Sequence, residues 1–344
     1  MPGLVDDIGS FPLPPSADKS AFERAYESAR DAIAEGGNIE DDEFIMNNFY
    51  RVVLDSFIKK CSTGLQIVNY PQHYDMHKQF SHAIHQAMED GTYVVDRKSS
   101  IIPEVYVIGR ESRGLYERVG RKISLRVCIT GPLELYAKEI GQTVYNDVLF
   151  MFADTTRVFA ENSILNTKYI KTEAVALDEP SLGLHDMNID RDTVIKALER
   201  AFDFHGTSKH IHIHSGVRIH DLLDVKNLDV LSVESARSPK NIQYISKRLL
   251  EQKDKQIRIG VSRTDIDSMM AELHDKGKTI TDVEQIIESE DLIRRRFLSA
   301  TEKFGESLGF VGPDCGLGGW PTQKAATQLL SRTVKAVELA KTET

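Results

Sequence analysis

The sequence predicts an α/β fold, a (β/α)8 TIM-type barrel with an N-terminal helical extension. Short β-branched runs recur along the chain and stop at Gly, Pro, Asp or Ser. Segments of helical periodicity separate them, and eight such runs fit within 344 residues. An open doubly wound sheet is the competing architecture, but the chain has no Gly-x-Gly-x-x-Gly or Walker-type loop to serve a nucleotide. Residues 1–344 therefore read as one barrel domain, with no internal repeat or linker.

The first run, 4–8, closes at Gly9-Ser10-Phe11-Pro12, and a helical tract over 18–61 leads to the second, 65–70, closed by Pro71. The stretch 91–109 reads as an insertion outside the repeat. Its alternating Tyr93-Val94-Val95 and Val105-Tyr106-Val107-Ile108 suggest a hairpin. The third run, 125–129, ends at Thr130-Gly131-Pro132, and the fourth, 174–177, at Asp178-Glu179-Pro180. The fifth, His210-Ile211-His212-Ile213-His214, stops at Ser215-Gly216; the sixth, 230–233, at Glu234-Ser235; the seventh, 257–261, at Ser262-Arg263. The eighth, 309–311, opens into a glycine-rich loop over 312–321 that carries Cys315 and precedes a helix over 322–340.

Composition narrows the class of partner. A net charge of −9 with 28% charged residues argues against a general nucleic-acid binder. No run of about 18 apolar residues is present, and the start lacks the basic-then-apolar character of a signal peptide. A cytoplasmic protein without a membrane partner is expected. The cysteines at 61, 128 and 315 form neither a disulfide framework nor a Cys-x-x-Cys pair, as suits a reducing compartment. Cys128, inside the third run, reads as core, and Cys61, at a helix end, as a partly buried thiol without a role.

The C-terminal strand ends of a parallel barrel share one face, so residues distant in sequence become neighbours there. His214, Glu234 and Cys315 end or follow the fifth, sixth and eighth runs. Nitrogen, oxygen and sulfur donors together suit zinc, and three protein ligands leave a position for a substrate. Taken singly, each has a simpler reading, as a hydrogen-bonded barrel histidine, a paired carboxylate or a buried thiol. Alternation puts His210, His212 and His214 on one face of their strand. His212 then either supplies a second nitrogen or sits one layer deeper. His73, His77, His82 and His85 read as surface or mouth residues. Trp320, Arg237 and Arg263 stay open between the mouth and packing or ion pairing.

These strand ends, in this order, resemble the catalytic C-terminal half of cobalamin-independent methionine synthase. The matching stretches are Ile8-Gly9-Ser10-Phe11-Pro12, Ile129-Thr130-Gly131-Pro132, Asp178-Glu179-Pro180-Ser181-Leu182, Ile211-His212-Ile213-His214, Val233-Glu234-Ser235-Ala236-Arg237-Ser238 and Pro313-Asp314-Cys315-Gly316-Leu317. The resemblance implies a single-barrel core form of that family, a methyltransferase of methionine biosynthesis. It also implies a zinc site, with His214, Glu234 and Cys315 as ligands, that activates homocysteine as a thiolate. By the same likeness Gly9 and Ser10 receive the homocysteine carboxylate, Asp178 receives its amino group, and Glu234 and Gln72 adjoin the substrate.

The departures from the family pattern lie in the same site. A second family cysteine falls on Gly216, so the remaining ligand is His212 or water, and a family glutamate falls nearest Gln72. Ser262-Arg263-Thr264-Asp265 offers no histidine to act as proton donor, and the tryptophan that stacks on folate falls near Lys138. The second, N-terminal barrel of the full enzyme, which helps bind methyltetrahydrofolate, has no room here. Methylcobalamin or a methylated corrinoid protein is therefore the expected methyl donor, with methyltetrahydrofolate the alternative, because a methyl group on cobalt needs neither protonation nor a stacking platform. Competing readings are methyl transfer to another thiol of the coenzyme M type, a uroporphyrinogen-decarboxylase-like activity that would leave Cys315 without a purpose, and a catalytically weak barrel serving as the partner subunit of a separate methyltransferase.

Overall fold

A computed structural model of the chain describes residues 3–92, 94–184, 189–277 and 283–343. Eight parallel strands form one sheet: β1 (Leu4–Val5), β2 (Val68–Asn69), β3 (Ile123–Thr130), β4 (Ile170–Asp178), β5 (Ser208–Ile213), β6 (Val230–Val233), β7 (Gln256–Ser262) and β8 (Leu308–Pro313). Their order is β1-β8-β7-β6-β5-β4-β3-β2. The sheet curls until β1 and β2 meet at a single parallel bridge, Asp6 to Ile67. Two further bonds seal that seam: Gln66 N donates to Val5 O at 2.9 Å, and Val5 N donates to the Gln66 side-chain oxygen at 2.8 Å. Helices follow the strands, so the architecture is a TIM-type α/β barrel, as the sequence predicts.

The N-terminal helices connect β1 to β2. The tract over 18–61 is not one helix, because Gly36-Gly37 interrupts it and Gly36 adopts a φ of +79°. Lys19–Ala34 ends before that pair, and Asp42 caps a second start by accepting from Phe44 N at 2.8 Å and Ile45 N at 3.1 Å. The expected hairpin over 91–109 does not form, since Pro103–Arg110 is a helix. Pro103 sits in its first turn, where the missing N–H costs nothing, and Val105, Val107 and Ile108 are buried. Tyr93 lies outside the described residues. No helix among the described residues is long and apolar enough to cross a membrane.

Charge as well as hydrocarbon fills the barrel. Strand alternation turns Arg126 of β3 and Arg258 of β7 inward, where both are fully buried with Asp6. The Asp6 carboxylate accepts from Arg126 Nη2 and, at 2.7 Å, from Arg258 Nε. Gly312 makes room for this pair, for a β-carbon there would lie 2.7 Å from Arg258 Nη2. His210 closes the layer. Arg126 Nη2 donates to its Nδ1 at 3.0 Å, which leaves the imidazole proton on Nε2 to face Ser208 Oγ at 3.1 Å. This polar floor lies beneath the residues that end β4, β5 and β6.

Candidate metal centre

β5 carries His212 on its inner face, and His214 follows the strand by one residue. Glu234 directly follows β6, and Cys315 lies in the loop after β8. The structure brings one ligand atom from each of the four within 4.8 Å of the others, a cluster of two nitrogens, an oxygen and a sulfur. His214 Nε2 lies 3.4 Å from Glu234 Oε1 and 3.5 Å from Cys315 Sγ, and the His212 and His214 rings are 5.3 Å apart. His212 is the more buried of the two histidines, yet its ligand atom still reaches the same cluster. Among the described residues no other set of three or more His, Cys, Asp or Glu converges in this way.

Electrostatics distinguishes this cluster from an ordinary ion-pair network. Burial pushes the Glu234 carboxyl up to about 7, with Asp314 nearby adding to the shift. Burial also raises the Cys315 thiol well above its ordinary range, and Glu234 beside it raises it further. The same desolvation holds His212 well below the usual histidine value, and lowers His214. Without a cation the cluster is close to neutral, and its lone pairs are poorly compensated. His212 Nε2 in particular is buried with no partner, while its Nδ1 faces Ser232 Oγ at 3.1 Å. An Nδ1–H donated to serine would leave Nε2 unprotonated with its lone pair free, the tautomer that a metal-binding histidine needs. The donor types and the orphaned nitrogen fit zinc.

The cluster opens onto a cavity of about 700 Å³ whose lining includes Gly9, Ser10, Gln72 and Asp178. Asp178, the last residue of β4, is buried with its Oδ1 unpartnered. Burial raises its carboxyl to about 7, against the pull of Arg126 and Arg258 from the floor. Gln72 is also buried with an unpartnered oxygen, and holds a φ of +50° that is unusual for a residue other than glycine. Gly9, at φ +68°, brings the loop after β1 against the Cys315 loop, since a β-carbon there would be 2.8 Å from Gly316 Cα. Ser10 ties the two loops further, accepting from Leu317 N at 2.6 Å and, through Oγ, from Gly318 N at 3.2 Å.

Several open readings close. Burial lifts the Cys61 and Cys128 thiols far above neutrality, in keeping with core positions. Trp320 is buried and donates its indole N–H to Thr264 O at 3.0 Å. Arg263 is engaged by Asp265 and Glu272, and Arg237 approaches Asp265 at 3.3 Å. Among the cluster near β2, His73 lines the cavity, and His77 and His85 face Glu134 and Glu139. Sequence reasoning gave no part to two residues beside the donors: Asn241, which donates to His214 O and Glu234 O, and Asp314, which accepts from Ser235 N next to Glu234. Asp314 sits in the Cys315 motif and could have been found there, whereas Asn241 carries no signal.

No protein-family model matches the chain, and no curated protein matches it. Among solved structures, a B12-independent methionine synthase from Shewanella sp. W3-18-1, in complex with selenomethionine, superposes with a TM-score of 0.63. It is 14% identical, with 98% of each chain covered, and this likeness shows the fold. AbfB, a family 51 alpha-L-arabinofuranosidase from Bifidobacterium longum, gives a TM-score of only 0.38 at 13% identity, covering 92% of this chain and 68% of its own.

Proposed function

We propose that this barrel is a zinc-dependent methyltransferase that converts homocysteine to methionine, with methylcobalamin or a methylated corrinoid protein as the methyl donor. The observation that carries the reading is the His212, His214, Glu234 and Cys315 donor cluster opening onto the same cavity as the unpartnered Asp178 carboxylate. The extended likeness to a methionine synthase, whose structure holds selenomethionine, supports the same choice of substrate. Those four side chains would hold zinc, which supplies a Lewis acid able to lower the pKa of a substrate thiol toward neutrality.

The remaining residues recognise the amino-acid end. Asp178, orphaned and buried, is suited to accept from the substrate ammonium, a charge-assisted bond strengthened by its low-dielectric surroundings. The Ser10 hydroxyl already accepts from Gly318 N and keeps its own proton free to donate to the substrate carboxylate. Gln72 can turn its amide toward the substrate. With both ends held, the thiolate sulfur attacks the donor methyl carbon in line. The sulfur–carbon bond forms as the carbon–cobalt bond breaks, and the bonding pair leaves on cobalt as Co(I). No proton is needed at the leaving group.

That last point favours cobalt over folate as the methyl source. The loop after β7 presents Arg263 and Asp265, paired to each other, and Arg263 holds the Asp265 carboxyl below its usual range against the effect of burial. Neither is an acid suited to protonating a leaving nitrogen near neutral pH. The test supplies purified protein and homocysteine with methylcobalamin, and in parallel with methyltetrahydrofolate. Methionine formed with methylcobalamin is the expected result. Methionine formed only with methyltetrahydrofolate would overturn the donor assignment, and none with either would overturn the activity.

A further inference from the structure

The donor atoms come from three strand ends, and two side chains outside the cavity lining tie those ends together. Asn241 lies in the short 3-10 helix Pro239–Tyr244. Its Nδ2 donates to His214 O at 2.8 Å and Glu234 O at 2.9 Å, while its Oδ1 accepts from Gly216 N at 3.1 Å. One amide thus grips the backbone at two donor residues on neighbouring strands. Asp314 performs the corresponding task between β6 and β8. Its carboxylate accepts from Ser235 N at 2.8 Å, Ala236 N at 2.9 Å and Arg237 N at 2.6 Å, the three residues after Glu234. Its own N–H donates to Ser262 O at 2.8 Å, and the next residue is Cys315.

Two glycines create the room for these grips. A β-carbon on Gly260 would lie 1.8 Å from Asp314 Oδ1. A β-carbon on Gly216 would lie 2.6 Å from Asn241 O and 2.8 Å from Tyr244 Cδ2. The first of these obstacles at 216 is backbone, so no side-chain rotation relieves it. We propose that Asn241 and Asp314 are positioning residues that fix the donor geometry of the His212, His214, Glu234 and Cys315 centre before a cation arrives, and that Gly216 is glycine so that Asn241 can do so. This rests on reading the cluster as a metal centre. The physical gain is preorganisation: the hydrogen bonds that hold the ligand backbones are made on folding, so cation binding does not have to order them. The same logic explains a side chain absent at 216. A third-row donor there would displace the Asn241 grip, and the fourth ligand comes from His212 on the strand instead.

The experiment titrates Co2+ into the metal-free full chain. The thiolate-to-cobalt charge-transfer band and the visible ligand-field bands are followed by absorption, and the fold by circular dichroism and melting temperature. Cobalt bands in the wild type are the premise, and their absence would overturn the metal reading itself and this proposal with it. With the premise met, Asp314→Asn and Asn241→Ala should each weaken Co2+ binding by about 10- to 100-fold and shift the ligand-field bands. Lys255→Met is the control for a structural effect alone. Lys255 caps Val225 O and Leu228 O at the other end of the barrel, so its loss should lower the melting temperature and leave the bands in place. Gly216→Cys should also bind more weakly, with no added charge-transfer intensity. Should one of the two clamp variants fail to fold, the other carries the same expectation, and Gly216→Cys tests the clamp with both of those residues intact. Wild-type affinity and spectrum in a folded clamp variant would overturn the proposal, as would a Gly216→Cys protein that binds Co2+ more tightly with a stronger charge-transfer band.

Discussion

Asp178 illustrates how a residue can be legible in position and opaque in environment. Its place at the end of a strand was readable from Ala174-Val175-Ala176-Leu177 and the Pro180 that follows. The two arginines beneath it were not, because Arg126 and Arg258 sit in runs that otherwise read as ordinary hydrophobic strands. Burial raises the Asp178 carboxyl to about 7, and those arginines limit the rise. Below that pH the group is protonated and cannot pair with an ammonium; above it the carboxylate is free to bind. Methionine shares the homocysteine ammonium and has no thiol proton to lose, so thiol ionisation does not enter its pH profile. Its affinity should rise with pH through about 7 and level off above. Asp178→Asn should flatten that profile and weaken binding by about tenfold or more, from the roughly 1.5–3 kcal/mol of a hydrogen bond to a charged group. Calorimetry across this range checks it, and an unchanged profile in the variant would remove Asp178 from substrate recognition.

At the scale of elements, the loops after β3 and β4 depend on each other. Glu179 accepts from Leu133 N at 2.9 Å and Glu134 N at 2.8 Å, which satisfies the open N–H groups at the start of helix Pro132–Glu139. Gly131 lies against that carboxylate, where a β-carbon would be 2.2 Å from Glu179 Oε1. Gly131→Ala should therefore displace the Glu179 side chain and destabilise the fold by about 1–3 kcal/mol, read as a lower denaturant midpoint. A wild-type midpoint would show that the carboxylate can move aside freely. The glycine and the glutamate were visible as motif residues, yet their contact was not, because 48 positions of chain separate them only in sequence. Pro103–Arg110 was misread for a related reason. The alternation of Val105, Tyr106, Val107 and Ile108 suits a strand, and only the proline at the helix start, together with the packing of its buried face, decides for helix.

For the whole molecule, the order of polar strand ends was the most informative feature of the sequence. Parallel connection turns that order into a ring, and the ring is what joins His214, Glu234 and Cys315 across about a hundred residues of chain. The polar barrel floor and the Asn241 grip were hidden, since each depends on which side chains meet after closure. The proposed chemistry depends on the cation that this ring of donors would hold. Its most direct test is the metal content of the purified chain by elemental analysis, with Cys315→Ser prepared alongside under chelator-free conditions. Near-stoichiometric zinc in the wild type, lost in the variant, is the predicted result. A wild type without zinc, or a variant that retains it at the wild-type level, would contradict the account.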